Sequence, residues 1–127
     1  MTFILLSAEL VERIHDLVLN PGELAGRARD KSLEGALARV DNRLTYGMIE
    51  DAFDLAAAYA IAIAQGHCFN DANKRTAFRA MHAILALNGI QMIFETEDVG
   101  NTIIRAAQRL MDEGELALWL RKRAGQA

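Results

Sequence analysis

Cysteine occurs once in this chain, at Cys68, so an internal disulfide is excluded and a reducing, cytoplasmic setting is expected. Proline also occurs once, in the turn signal Asn20-Pro21-Gly22. No sign of charge dominates. Fourteen basic and 17 acidic residues leave a formal charge of −3, mixed along the chain, which argues against a general nucleic-acid binder and leaves DNA outside the expected partners. The longest apolar run, Leu55–Ala64, is about half of the ~20 residues that cross a bilayer. The segment Met1–Leu6 lacks the basic stretch and apolar length of a signal peptide, so no membrane association is expected. Internal repeats, low-complexity segments and linkers are missing too.

What is present suits one domain spanning residues 1–127, because 52% hydrophobic residues in a chain of this size can form one core without staples. Ser7 is placed to cap a helix whose apolar positions Leu10, Ile14, Leu17 and Val18 follow helical spacing, with Glu9 near its positive end. Asp30 is placed to cap a second helix carrying Leu33, Leu37 and Val40, broken at Thr45-Tyr46-Gly47. Ile49 to Gln65 reads as a third helix, apolar on nearly every side and therefore central. Its six alanines from Ala56 to Ala64 let neighbouring backbones approach.

A fourth helix is expected from Asn73 to Asn88, ended by Gly89, with Ala77, Met81, Ile84, Leu85 and Leu87 as its apolar set. Ile90–Phe94 alternates as a short strand does. Thr96, Glu97 and Asp98 open a fifth helix through Met111, and Gly114 separates a last short helix bearing Leu116, Trp119 and Leu120. Arg121, Lys122 and Arg123 read as solvated charges complementing a helix C-terminus in preference to a nucleic-acid patch. The fold class is all-α with at most a small β element.

Chemistry concentrates in one run, His67-Cys68-Phe69-Asn70-Asp71-Ala72-Asn73-Lys74-Arg75-Thr76-Ala77, which covers a loop and the first turn of the fourth helix. A helix start offers unpaired N–H groups and partial positive charge, so phosphate binds there readily. His67 supplies an imidazole suited to general base work near neutral pH, although a lone histidine is more often structural. Asp71 suits Mg²⁺, which takes few carboxylates together with phosphate oxygens and water; Asp71 or Asn70 can equally cap the helix. Ala72 and Asn73 offer main-chain amides, and Lys74 and Arg75 add a point charge and a planar fork. Phe69 reads as a core anchor fixing the loop and Cys68 as inert packing. His15 and His82 have no such neighbours in sequence and read as surface or satisfied helix residues. On these residues alone the reading is a nucleotide-phosphate site.

The same run resembles the signature of the Fic superfamily, His-x-Phe-x-(Asp/Glu)-Gly-Asn-Gly-Arg-x-x-Arg. It is more similar to the Doc (death-on-curing) variant, in which Ala-Asn-Lys-Arg replaces Gly-Asn-Gly-Arg. His67, Phe69, Asp71, Asn73 and Arg75 all match, and the helical pattern around them is similar over roughly residues 7–120. The resemblance implies a compact helical Fic fold, with the histidine as base on a target hydroxyl, the acidic residue for Mg²⁺, and the asparagine and arginine for nucleotide phosphates. Most Fic enzymes attach AMP to a protein hydroxyl. Doc toxins instead transfer the γ-phosphate of ATP to a threonine of translation elongation factor Tu, and a Phd-type antitoxin masks them through its C-terminal segment. ATP and Mg²⁺ are the cofactors so implied.

Two departures carry physical weight. Lys74 fills space that a glycine would leave open to phosphates, which fits a nucleotide held in another orientation with its γ-phosphate toward the acceptor. Phe78 stands where the Fic signature has its second arginine; Arg79, four residues from Arg75, is not the family residue. The Fic self-inhibitory glutamate therefore lacks its partner. Asp30-Lys31-Ser32-Leu33-Glu34-Gly35 resembles the inhibitory Ser/Thr-x-x-x-Glu-Gly segment but begins with Asp, and reads as an ordinary helix start. The resemblance thus points to a Doc-type protein kinase toxin. An adenylyltransferase with the nucleotide reversed and a catalytically silent partner-binding module are the alternatives. A helix-turn-helix DNA binder is the weakest reading.

Overall fold

Ser7, Ser32, Asp51, Glu95 and Asp112 each turn a side-chain oxygen onto the N–H groups of the following turn, and each starts a helix. The computed structural model describes residues 2–125. Its six helices are α1 (Ala8–Val18), α2 (Leu33–Thr45), α3 (Ala52–Gly66), α4 (Asn73–Leu87), α5 (Thr96–Ala107) and α6 (Glu113–Arg123). The expected all-α class holds. The β content among the described residues is a single antiparallel bridge between Arg27 and Phe69.

Helix α3 is the axis of the domain. Every residue from Ala52 to Gln65 except Asp54 is buried, and α2, α4, α5 and α6 all pack against it. Its alanines make this possible, because a side chain of one carbon lets four neighbours close around one helix. At its end, a Cβ added to Gly66 would sit 3.0 Å from Cys68 Sγ and 3.2 Å from Ala36 Cβ, so glycine allows α2 and the motif loop to meet there.

Three boundaries and one strand differ from the sequence expectation. Helix α3 begins at Ala52, after its Asp51 cap, and not at Ile49. Ser32, not Asp30, caps α2: its Oγ accepts from the Gly35 N–H at 2.9 Å. Helix α5 begins at Thr96 as expected, with Glu95 as its cap, but stops at Ala107 before Arg109 turns left-handed at φ 63°, short of Met111. Ile90–Phe94 forms no strand. Its alternation records one-sided packing of a loop: Met92 is buried, Ile90 and Phe94 lean on the core, and Ile93 is fully exposed.

Charged residues tie the helices together. Arg121 bridges α6 to the start of α3 through Asp51 and Asp54, and Arg123 pairs with Asp98 and lies over Trp119. These two arginines of the C-terminal basic run are therefore partnered across helices, beyond the solvated role expected of them. Burial works to raise the Asp51 carboxyl, yet Arg121 and the Asp54 N–H hold it below its usual value.

The segment before α1 is fastened by side chains. Asn88 exchanges two hydrogen bonds with the Ile4 backbone, and the buried Tyr59 hydroxyl does the same with Leu6. This fastening sets α1 against α4. The contact matters because α1 carries a buried residue beneath the motif loop.

Candidate active site

The motif loop leaves α3 and enters α4 through two left-handed residues that are not glycine. His67, the C-cap of α3, has φ 50°, and Ala72, just before α4, has φ 64°. An L-residue in this region costs about 1–2 kcal/mol, and such strain persists where surrounding contacts hold it. Here the contacts are on both sides of the loop. Asn73 reaches back from α4, its Oδ1 accepting from the Phe69 N–H and its Nδ2 donating to the Phe69 carbonyl. Asn70 donates to the carbonyls of Ala25 and Gly26, and its own N–H also bonds Gly26. Ala28 N–H donates to the Cys68 carbonyl at 2.7 Å. The connection between α1 and α2 therefore lies along the motif loop as its partner.

Helix α4 is the exception to the capping pattern. No side chain caps it among the described residues, and the first recorded main-chain bond of its start runs from Thr76 N–H to the Ala72 carbonyl. The turn Asp71–Arg75 opens instead onto a cavity of about 580 Å³, whose polar rim is Glu23, Asp71, Asn73, Lys74, Arg75 and Arg79. Phe78, Phe94, Val99 and Ile103 form its apolar wall. The cavity is thus cationic and amide-rich at one end and apolar along its side, a combination suited to a nucleotide.

Within it, Asp71 Oδ2 accepts from the Leu24 N–H at 2.7 Å, and no hydrogen bond is recorded to its other oxygen. Arg75 forks onto the Glu23 carboxylate and also donates to the Val18 carbonyl. The hydrogen bonds from Arg75 and from the Asn20 N–H hold the Glu23 carboxyl down at about 2. Lys74 and Arg79 are exposed, Arg79 lying 5.4 Å over the Phe78 ring.

Asp71, Ala72, Asn73, Lys74 and Arg75 are thus gathered on one cavity. His67 is not among its lining residues; it is exposed at the end of α3 with no recorded hydrogen bond. Phe69 is buried beneath the loop, and Cys68 is buried with its thiol raised by burial. The Asn73 side chain is engaged by Phe69, which leaves its main-chain N–H for a ligand. Glu34, the glutamate of the segment at Asp30–Gly35, is bound by Arg27.

Comparison with known proteins agrees with this geometry. The sequence model of the Fic/DOC family matches residues 5–85, which takes in α1 to α3, most of α4 and the whole motif. The chain is also 34% identical over 123 residues to "Protein kinase doc" of Escherichia phage P1, covering 96% of this chain and 97% of the relative. The chain belongs to the Fic/DOC family. Its Fic/DOC motif rests on two residues that the motif does not contain. Glu23 occupies the guanidinium of Arg75. His15, read from sequence as a residue without relevant neighbours, is fully buried, stacks on Phe69 and bonds the Asp71 carbonyl. The spacing did hold one sign of it: His15 follows Val11 by four positions and so falls on the buried stripe of α1.

The same site fits a hard cation. Mg²⁺ is usually held by one or two carboxylates and completed by phosphate and water, and one carboxylate oxygen of Asp71 has no recorded hydrogen bond in the cavity. No cluster of three or more His, Cys, Asp or Glu side chains occurs among the described residues, so a metal cage made by the protein alone is not on offer. No helix among them is long and apolar enough to cross a membrane.

Proposed function

We propose that this protein is a Doc-type toxin kinase, transferring the γ-phosphate of ATP to a threonine hydroxyl of translation elongation factor Tu and so stopping protein synthesis. One observation carries the reading: the uncapped start of α4 faces a cavity rimmed by Lys74, Arg75 and Arg79, immediately after the His67–Asn70 loop. Amides and fixed cations aimed at one place stabilise the charge that spreads over a transferring phosphoryl group. The relative's name, Protein kinase doc, supports the kinase reading over AMP transfer.

In this reading Lys74, Arg75 and the Ala72 and Asn73 amides bind the phosphates. His67 accepts the proton of the threonine hydroxyl as its oxygen bonds to the γ-phosphorus, and ADP departs as the old P–O bond breaks. Asp71, with phosphate oxygens and water, would hold Mg²⁺, which when bound neutralises triphosphate charge. His67 stands outside the cavity wall and exposed, where a protein substrate can reach it. A Phd-type antitoxin is the expected partner. A second cavity of about 730 Å³, lined by Ile14, Leu17, Val18, Phe78, Ala83 and Ala86, adjoins the first at Arg75 and Arg79, so an apolar helix seated there would cover the phosphate site.

The test is incubation with elongation factor Tu and ATP labelled at either phosphate. Label from the γ position on a threonine is the expected result. Label from the α position would replace the kinase with an adenylyltransferase, and label from neither would leave the partner-binding module.

A further inference from the structure

We propose that His15 is the positioning residue of the phosphate site, setting the direction of the Asp71–Ala72 peptide from beneath. The inference rests on the phosphate-site reading of the Asp71–Arg75 turn. His15 lies on α1, 56 positions before Asp71, and has no exposed surface. Its Nε2 is 2.7 Å from the Asp71 carbonyl oxygen. A carbonyl oxygen only accepts, so Nε2 carries the proton. The ring lies flat on Phe69, with centroids 3.9 Å apart and planes 8° from parallel. Among the described residues Nδ1 makes no hydrogen bond, and Asp16, a charged group 3.8 Å from it, is mostly exposed.

A buried polar side chain with one bond, spent on one carbonyl of the motif, calls for a reason. The geometry of the peptide unit gives it. In a trans peptide the C=O and the following N–H point in opposite directions. His15 draws the Asp71 carbonyl toward the interior, and the Ala72 N–H is thereby turned outward, on the side where Ala72 lines the cavity. The Asp71 carboxylate is held separately by the Leu24 N–H, so carbonyl and carboxylate are fixed by different parts of the chain. Ala72 at φ 64° is the strained residue that follows. Released from His15, this peptide can rotate, and the outward amide and the Asp71 side chain lose their alignment together. The stack on Phe69 adds a second hold, since Phe69 is also the residue that Asn73 grips.

The test compares His15→Phe, which keeps the ring and its stack but removes the donor, with His15→Gln, whose amide nitrogen can reach the Nε2 position. His15→Asn, with a shorter reach, serves as a second donor-deficient variant if the Phe variant does not fold. Two quantities are read: hydrogen exchange across residues 69–75 in the ligand-free protein, and kcat and KM for MgATP. The expected result for His15→Phe is faster exchange confined to residues 69–75, and a KM raised about 10-fold or more with a smaller change in kcat, as loss of an orienting partner typically does. His15→Gln should restore both. Unchanged exchange and KM in the donor-deficient variants would overturn the proposal, as would a Gln variant no better than Phe or Asn. A parent protein that fails to bind MgATP would sink the kinase reading instead, and the exchange comparison would still judge His15.

Discussion

Arg75 grips Glu23 with both terminal nitrogens, although the proposed function gives the same guanidinium a phosphate to bind. The two residues lie 52 positions apart, Glu23 arriving on the turn after Pro21. A carboxylate on a phosphate-binding arginine competes with the phosphate for the same fork. Glu23→Gln should therefore tighten MgATP binding by about two- to five-fold, the small effect expected of a partly exposed ion pair. Calorimetric titration of parent and variant measures it. Weaker binding in the variant would mean that Glu23 orients Arg75 for the nucleotide and does not compete with it.

The pair also makes a pH prediction. Glu23 is lowered from 4.5 to about 2 in the folded protein, so its pairing with Arg75 stabilises the fold fully at pH values above the ordinary carboxylate range. That contribution is lost as pH falls from about 4.5 through about 2. A carboxyl-carbon NMR titration should put the Glu23 midpoint near the lower figure in the parent and raise it in Arg75→Ala, though still below the ordinary range because the Asn20 N–H remains. A midpoint unmoved by Arg75→Ala would show that the guanidinium is not what holds the carboxylate.

The fold was legible in the sequence wherever the cause was local. The Ser7 cap, the all-round apolar character of α3 and the Gly89 stop of α4 depend on neighbours within a turn. The cap falls at Ser32 and not at Asp30 because both residue types accept N–H groups, and only the backbone path decides which is in register. The motif was legible as a set of residue types, and the structure lines Asp71 to Arg75 along one cavity. Glu23 and His15 were not, because their contacts cross more than 50 positions and follow from how α1 is fastened. No short-range pattern encodes such contacts.

His67→Ala should abolish phosphoryl transfer while leaving the fold and MgATP binding unchanged. His67 is exposed, has no recorded hydrogen bond and does not line the cavity at the start of α4, so its loss removes neither packing nor a contact in that cavity. Removal of a general base costs ~10²–10⁴-fold. Near-parental labelling of the target would dismiss His67 as the base. A matching loss of nucleotide affinity would instead place it among the binding groups.

Asp71→Asn separates metal binding from loop support. The amide can still accept from the Leu24 N–H, which preserves the contact that holds the loop, but it lacks the charge Mg²⁺ requires. The expected outcome is an unchanged melting temperature together with a magnesium half-saturation raised about 10-fold or more. Full activity across a magnesium titration would exclude Asp71 as the ligand.

Ala72→Gly should reverse the usual sign of such a change. Inside a helix, Ala→Gly costs about 1 kcal/mol, and in the tightly packed α3 it should cost at least that. Ala72 sits at φ 64°, where its Cβ is the penalised group, so glycine relieves strain of about 1–2 kcal/mol while adding freedom to the unfolded chain. The net expectation is no loss, or a gain of up to about 1 kcal/mol. Denaturant unfolding of Ala72→Gly beside Ala60→Gly measures the contrast, Ala60 being fully buried in α3. A shared loss of similar size would show that the left-handed turn at residue 72 carries no strain.

Lys74 separates the two enzyme readings. It is exposed on the first turn of α4 and lines the cavity beside the Ala72 and Asn73 amides, so its side chain occupies space that glycine would open to a phosphate. If that side chain sets the orientation of the nucleotide, Lys74→Gly cripples phosphoryl transfer and permits some AMP transfer through the reopened backbone. Lys74→Ala removes the charge but keeps a methyl over the backbone, so it should lose phosphate affinity without gaining the second activity. Intact mass spectrometry of the target after incubation with each variant and ATP distinguishes the products, since a phosphate adduct and an AMP adduct differ in mass. Helix propensity acts in opposite directions in the two variants, since Ala favours and Gly disfavours the first turn of α4, and circular dichroism controls for any loss of helix. Lys74→Gly that phosphorylates its target as fast as the parent would show that residue 74 does not choose the chemistry.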